Sequence, residues 1–520
     1  MQVPMTPARI LKRAVKLYAD KTAVVDGEIR LTYRMVQQRV NRVVHAIEDL
    51  GLEPDARIAV VDYNTHRYME LYFGASLSGR ILSPLNIRLS EDEYAYILEN
   101  SRAEAVIFHR DFKPIMERVS RRVSTVKHWF IAEGEASESW ITNTYESLMD
   151  SASSESVTDK IVDENATLNL YYTSGTTGRP KGVELTHRNI YANALTTIIS
   201  FKIDDATTWH HIAPLFHLAD AFFIWSVTFQ GGCHVMQRTF VPREVLATMA
   251  RERVVAAMMV PTMINFLLDV PEIGNYDLSA LEWIMVGGAP MSPANAERMM
   301  EKLGCRYVSG YGLTETTPLL TVGHLKSTLT DNPQKERLEF ITRTGLEVIG
   351  VDLRVVDENG QDVPWDGVSV GEILVSGDNV MKGYWEMPLE TEQAIQNGYF
   401  FTGDLACVDS EGYILIVDRA KDIIISGGEN IGSVEVENAI YTHPDVLECA
   451  VIRMADERWG EVPKAVVVLR QNARVTEQEL MDHTRKHLAG FKVPKKIVFV
   501  NELPKTGSGK ILKVKLREKS

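Results

Sequence analysis

Short apolar runs of strand length alternate with helix-like segments along most of this chain. That alternation limits the fold more than any other feature. "RIAVVDY", "AEAVIFH", "LNLYYTS" and "LEWIMVGG" are bounded apolar runs of the kind that fill buried strands, whereas "VNRVVHAIEDLG" and "PREVLATMARERVV" have helical character. Strand–helix alternation predicts layered α/β structure with at least one largely parallel sheet. At 520 residues the chain is too long for one ordinary core, so more than one domain is expected.

The texture changes after about Thr344. "DLRVVDENGQDVP", "GEILVSG" and "ACVDSEGYILIVDR" read as strand pairs with Asn-Gly or Glu-Gly turns, which predicts a small β-rich subdomain over about 345–418. Beyond Arg419 the pattern is that of a compact α+β unit. It has a helix from about Val434, strands "CAVIRM" and "AVVVLR", and a helix opened by a capping box of Thr476 and Glu479. The charged segment "DRAKD", Asp418 to Asp422, marks the boundary. The expected division is an N-terminal domain over 1–418 and a C-terminal domain over 419–520.

Hydrophobic residues make up 45% and charged residues 24%, an ordinary globular balance. The net charge of −14 argues against bulk nucleic-acid binding, which needs a basic footprint. Cys233, Cys305, Cys407 and Cys449 are far apart and form no CxxC, so a reducing, cytoplasmic setting is expected. The start, "MQVPMTPARILKRAVKLYAD", lacks the apolar core of a signal peptide and suits an amphipathic surface helix. The end, "KVKLREKS", matches no peroxisomal or prenyl signal. The longest apolar stretch, Ile212 to Phe229, holds Pro214, His217 and Asp220. A buried pocket wall is expected there rather than an integral membrane segment. The polar runs "EGEASESW" and Asp150 to Asp159 read as surface loops.

One string carries chemistry. "YYTSGTTGRPKGVELTH", Tyr171 to His187, is a Gly, Ser and Thr run after a strand-like segment. Counted from Gly175, the sixth position is Pro180, and Lys181 is followed by Gly182, so the Walker A pattern fails. Its physics survives, because Gly175 and Gly178 let the backbone approach an anion. Ser174, Thr176 and Thr177 add hydroxyl donors, and Lys181 adds a charge. Taken alone, such a run also suits a solvent-exposed turn.

The loop resembles the phosphate loop of the AMP-forming acyl-CoA synthetases in the adenylate-forming (ANL) superfamily. "GYGLTE" (Gly310 to Glu315), "TGD" (Thr402 to Asp404), "DRAKDIIISGGENI" (Asp418 to Ile431) and "PKTGSGKILK" (Pro504 to Lys513) follow in that family's order. The resemblance spans essentially the whole chain and points to short- or medium-chain fatty-acid–CoA ligases. It implies two steps. A carboxylate attacks the α-phosphate of ATP to give an acyl-adenylate and pyrophosphate; the thiol of coenzyme A then attacks the acyl carbon and releases AMP. Two anions must meet in the first step, so charge neutralisation and alignment dominate.

The resemblance implies roles for individual residues. Thr173, Ser174, Gly175, Thr176, Thr177, Gly178 and Lys181 would hold the β- and γ-phosphates. Glu315 would contact Mg2+, and Thr314 would reach the phosphate. Tyr311 would stack on adenine, between Gly310 and Gly312, with Gly288 and Ala289 beside it. Asp404 would accept the ribose hydroxyls, with Arg419 on the same side. Lys510 would be the catalytic lysine bridging carboxylate and α-phosphate. The C-terminal domain would be mobile, turning about Lys421 between half-reactions to present Gly427, Gly428 and Glu429 to the coenzyme A path. Gly432 departs from the family pattern, where a larger residue is expected.

His217, Phe222, Trp225, Gly287 and Pro318 would form the acyl pocket, although Phe222 and Trp225 can equally fill core. No Lys or Arg occurs between Lys202 and Arg238, which disfavours a dicarboxylate or amino acid. An aliphatic acid of short to medium chain is the leading expectation and a cinnamate-type aryl acid the second. A carrier-protein thiol or oxygen as the second acceptor, and a non-enzymatic sensor, are the rivals. Partners are expected to be small molecules, and the sequence admits a homodimer.

Overall fold

The computed structural model describes residues 3–157, 163–173, 179–471, 473–505 and 511–517. Within them the chain forms four sheets. The eight-stranded sheet runs, edge to edge, through Gly383–Tyr384, Lys181–Thr186, Thr167–Thr173, Ile81–Pro84, Arg57–Val61, Ala103–His109, His128–Ala132 and Asn143–Thr144. Its centre is parallel, while Lys181–Thr186 returns antiparallel beside Thr167–Thr173. The nine-stranded sheet carries a parallel run of Arg306–Gly312, Trp283–Gly287, Ala256–Met259, Thr208–His211, Cys233–Met236 and Thr22–Asp26. All five residues of Trp283–Gly287 are buried, as expected for a strand covered on both faces.

The largest core cluster draws side chains from both sheets, for example Ile58, Leu82 and Ile107 from one and Trp209, Met258 and Met285 from the other. The helices Tyr33–Asp49, His66–Ser78 and Leu218–Gln230 contribute to the same cluster. Leu218–Gln230 is buried all round, which explains an apolar run that lacks a polar face. Burying each of its large apolar side chains contributes about 1.5–3 kcal/mol. Asp220 in its first turn is fully buried too, and two ring nitrogens satisfy it. Trp209 Nε1–H donates at 2.9 Å, and His211 Nδ1 lies at 3.2 Å. Among the described residues no helix is long and apolar enough to cross a membrane.

The expected strand pairs after Thr344 form an antiparallel sheet of Val351–Val356, Gly371–Gly377, Tyr399–Val408 and Ile395–Gln396, with Ile414–Arg419 paired to Tyr399–Val408. Two short strands from the same stretch leave it. Leu346–Glu347 joins the nine-stranded sheet and Gly383–Tyr384 the eight-stranded one. The C-terminal unit builds its own sheet from Ile424–Ser426, Glu429–Ile431, Val446–Asp456, Gly460–Leu469 and Lys496–Phe499. The Thr476–Glu479 capping box forms, and the helix expected from about Val434 runs Ser433–Tyr441.

The N-terminal segment is a helix, Ala8–Tyr18, that buries Ile10, Leu11 and Ala14 on one face. The run from Asp150, expected as a loop throughout, starts inside a helix. Tyr145–Ser151 is capped by Thr144, which accepts from Ser147 N–H, and this N-cap together with buried Tyr145 and Met149 outweighs the polar composition of its last two residues.

Candidate functional site

The carboxyl ends of the parallel strands are where α/β sheets gather ligands. Thr173 closes its strand at that end, and Lys181 opens the antiparallel return. Ser174, Gly175, Thr176, Thr177, Gly178 and Lys510 lie outside the described residues. Gly287 ends its strand and lies in register with Gly310 of the neighbouring parallel strand Arg306–Gly312. Gly288 follows with φ +78°, and Gly288 and Ala289 are exposed.

From Gly312 the chain turns tightly through Thr314–Thr316. A Cβ on Gly312 would sit 1.6 Å from the Pro318 carbonyl oxygen, so no other residue fits there. Thr316 ties the turn together, its hydroxyl bonding the Pro318 oxygen at 2.7 Å. Pro318 is buried, and Glu315 points from the turn as a half-buried carboxyl. Burial pushes the Glu315 carboxyl above the usual range, against the donation of the Tyr384 hydroxyl at 3.1 Å. The same Tyr384 ring lies 4.9 Å from Lys181 Nζ in a cation–π arrangement. Tyr384 therefore stands between the loop lysine and the motif glutamate.

On the other side, Asp404 is 4% exposed and accepts from Tyr311 Oη at 2.7 Å and Arg419 Nε at 3.0 Å. Asp404 and Arg419 are direct cross-strand partners. Burial disfavours the Arg419 charge, yet Asp404 and Tyr311 outweigh it and hold the guanidinium above its ordinary value. Tyr311 is pushed upward by burial and by Asp404, so its phenol stays neutral and donates. The structure thus brings Tyr311, Asp404 and Arg419 into one hydrogen-bonded unit.

His217 precedes the Leu218–Gln230 helix at its N-cap, and its Nε2 has no partner. Burial lowers its pKa to about 4, so the imidazole is neutral at pH 7. Arg88, from the segment after the Ile81–Pro84 strand, adds a smaller push in the same direction. A cation therefore acts on this position from outside the Lys-free and Arg-free stretch. Phe222 and Trp225 are each 1% exposed. Trp225 meets Phe73 and Tyr72 edge-on at 4.8 and 5.4 Å, and Phe222 lies 4.1 Å from Phe223.

Lys421 is exposed, two residues after the Ile414–Arg419 strand ends. Gly427 and Gly428 both have positive φ at the turn before Glu429, which is exposed. Gly432 is the N-cap residue of Ser433–Tyr441 and offers no side-chain cap. Asp418, 3% exposed, supplies it instead by accepting from Ser433 N–H at 2.7 Å. A Cβ at 432 would lie 2.8 Å from the Val417 carbonyl oxygen, which explains a glycine where a larger residue was expected. The C-terminal unit also touches the Pro261–Leu268 region. Arg470 pairs with Asp269 through two contacts of 2.8 and 2.6 Å, and Asn265 Nδ2 donates to the Leu447 carbonyl at 3.3 Å.

Among the described residues no three His, Cys, Asp or Glu side chains cluster as a cation cage. A lone carboxylate such as Glu315 fits Mg2+, a hard cation usually held by one or two carboxylates plus substrate phosphates and water. Sequence reasoning missed Tyr384. It sits in "KGYWE", which carries no signal of its own, and it reaches the site through long-range strand pairing with Lys181–Thr186.

Residues 11–385 match the family described as AMP-binding enzyme, and residues 435–510 match the AMP-binding enzyme C-terminal domain. A feruloyl-CoA synthase of an Amycolatopsis species is 36% identical over 511 residues, covering 98% of this chain and 97% of that relative. A long-chain-fatty-acid–CoA ligase of Thermus thermophilus is 35% identical over 519 residues, covering 98% and 94%. The crystal structure of the anthranilate CoA ligase AuaEII with anthranoyl-AMP superposes with a TM-score of 0.90 at 26% identity, covering 100% of this chain and 98% of that one. The chain belongs to the AMP-binding enzyme family, among the AMP-forming acyl-CoA synthetases of the adenylate-forming superfamily.

Proposed function

We propose that the protein is an ATP-dependent ligase that joins a short- to medium-chain aliphatic monocarboxylate to coenzyme A through an acyl-adenylate. The loop from Thr173 to Gly178, with Lys181, grips the phosphates that leave as pyrophosphate. Glu315 would hold Mg2+, which would supply positive charge to the phosphates, and Thr314, its neighbour in the chain, would reach the phosphate. Tyr311, Gly310, Gly312, Gly288 and Ala289 receive the adenine, and Asp404 the ribose hydroxyls with Arg419 alongside. Lys510 stabilises the charge that develops when the acid attacks the α-phosphate. The domain after Arg419 turns about Lys421 and presents Gly427 to Glu429 to the pantetheine arm.

The observation that carries the aliphatic reading is the packing of Phe222 and Trp225. Both are engaged with neighbouring rings in the core and offer no free face to stack on an aryl substrate. His217, neutral and with Nε2 unpartnered, is left as the polar group on the acyl side, with Gly287 and Pro318 completing the pocket. An aryl acid is the second reading, because the chain is similar to a feruloyl-CoA synthase and to an anthranilate CoA ligase. We place the enzyme in the cytoplasm, and sedimentation at micromolar concentration tests whether it is a homodimer.

The test is an acid panel with ATP, Mg2+ and coenzyme A, measuring AMP and thioester. Butyrate to octanoate should give kcat/KM values about tenfold or more above benzoate and cinnamate, the discrimination expected when one to two methylene-sized contacts differ. ADP without AMP would refute the mechanism. Lys510→Ala should abolish adenylate formation yet leave thioester formation from supplied acyl-adenylate largely intact; equal loss of both would remove Lys510 from its role.

A further inference from the structure

The stretch 377–385 leaves the β-rich sheet and crosses to the nucleotide side. Its Gly383–Tyr384 strand pairs with Val183 and Glu184, and Trp385 N–H donates to the Gly182 carbonyl at 2.8 Å. Lys382 N–H donates to the Glu184 carbonyl at 3.0 Å, and Trp385 Nε1 to the Asn100 carbonyl at 3.0 Å. These bonds fasten the strap to the strand that leaves the phosphate loop.

The same strap also grips the Glu315 turn. Met381 N–H donates to the Glu315 carbonyl at 2.8 Å. Asn379 Nδ2 donates to the carbonyls of Thr316 and Leu319 at 2.9 and 3.1 Å, and Thr317 Oγ1 donates to the Asn379 carbonyl at 2.6 Å. Asn379 is 4% exposed, so these bonds are shielded from competing water. Two segments from different sheets are thereby held to one short strap.

Tyr384 is the strap residue whose side chain touches both functional groups. Its ring carries the Lys181 ammonium at 4.9 Å, and its hydroxyl donates to Glu315 Oε1 at 3.1 Å. The backbone N–H of Tyr384 is itself anchored to Thr391 Oγ1 at 2.9 Å, which fixes the ring's root.

We propose that Tyr384 is a positioning residue for adenylation, holding Lys181 and Glu315 at a set separation so that loop lysine and metal carboxylate meet the triphosphate together. The inference rests on the roles given above to Lys181 and Glu315. The two halves of the tyrosine do different things. The hydroxyl aligns the carboxylate and the ring face aligns the ammonium, so each half can be removed separately.

The experiment measures ATP–pyrophosphate exchange, with its Mg2+ and ATP dependence, for Tyr384→Phe, Tyr384→Leu, Lys181→Ala, Glu315→Gln and Lys181→Ala combined with each Tyr384 variant. Tyr384→Phe keeps the ring and should raise the Mg2+ concentration for half-maximal exchange by about tenfold, the usual weight of one hydrogen bond to a charged group, with the ATP KM at saturating Mg2+ changed by less than about twofold. Tyr384→Leu should in addition raise the ATP KM by about fivefold, the scale of one partly desolvated cation–π contact. In the Lys181→Ala background the Phe and Leu variants should share one ATP KM, because the ring then has no ammonium to hold.

The proposal is overturned if Phe and Leu behave alike in the parent. It also fails if the Leu penalty persists without Lys181, or if thioester formation from supplied acyl-adenylate falls in parallel. Should Lys181→Ala and Glu315→Gln leave exchange untouched, the assigned roles of those two residues fail instead. Intact thioester formation in each variant serves as the control for folding.

Discussion

Gly432→Ala offers a sharp test of how the C-terminal domain sits. Gly432 has φ −72° and ψ 123°, a conformation that alanine adopts without strain, so the perturbation is purely the added methyl. That carbon would lie 2.8 Å from the Val417 oxygen and 2.9 Å from Val417 Cγ1. Ordinary contact begins near 3.4 Å, so the joint must open by about 0.5 Å, an overpacking that typically costs about 1–3 kcal/mol. Opening also stretches the 2.7 Å bond from Ser433 N–H to Asp418, whose loss as a helix cap adds about 0.5–2 kcal/mol. Val417 and Asp418 precede the proposed hinge and Gly432 follows it, so the cost falls on this arrangement of the two domains and not on others.

Together these costs come to about 1.5–5 kcal/mol, so at about 1.4 kcal/mol per factor of ten this pose should lose about ten- to several-thousand-fold in population against its alternatives. Spin labels on Glu301→Cys and Gln478→Cys, one on each domain, would report the shift as a new distance distribution. Single-turnover rates of the two half-reactions would change in ratio, and the half-reaction that uses this pose would be the one that slows. Unchanged distances together with an unchanged ratio would refute the reasoning.

Lys421→Pro should slow thioester formation more than adenylation, read as separate half-reactions, because proline fixes one backbone angle at the proposed hinge; the reverse order would count against the hinge. Tyr311→Phe removes one of the two donors that hold Asp404 and should raise the ATP KM by about three- to tenfold with kcat nearly unchanged, measured by initial rates. His187 is 1% exposed, neither ring nitrogen has a partner, and burial lowers its pKa to about 4. The unfolded imidazole binds its proton near pH 6.5, so stability present above that pH is lost as pH falls toward 4, by about 3 kcal/mol. Urea midpoints between pH 7 and 4 should fall less steeply for His187→Leu, and parallel curves would exclude His187 as the cause.

Much of the architecture was legible because parallel strands and their helices write local patterns. "LEWIMVGG" reads as a doubly covered strand, and Thr476 with Glu479 reads as a cap, without any distant partner. Asp404 and Arg419 were legible as a pair of motifs, and the antiparallel ladder makes them neighbours. What stayed hidden depends on long-range approach. An apolar residue such as Trp225 gives the same signal whether it faces a pocket or packs on Phe73. Arg88 acts on His217 from a segment more than a hundred residues away, so counting charges within the apolar stretch missed it. Gly432 is a departure from the family pattern until Val417 is seen against it, and Tyr384 carries no motif of its own.

The strap has a consequence for synthesis. Lys181 leaves the ribosome about 200 residues before Tyr384, a delay of about 10–40 s at typical elongation rates. Throughout that interval Lys181 has no Tyr384 ring beside it, and the Lys181–Thr186 strand is paired on one side only, with Thr167–Thr173. A growing polypeptide therefore completes this edge of the eight-stranded sheet late, and Lys181 meets the Tyr384 ring only then. A chain that ends before residue 384 lacks the strap altogether, so pairing along this edge requires the first 384 residues to have been made.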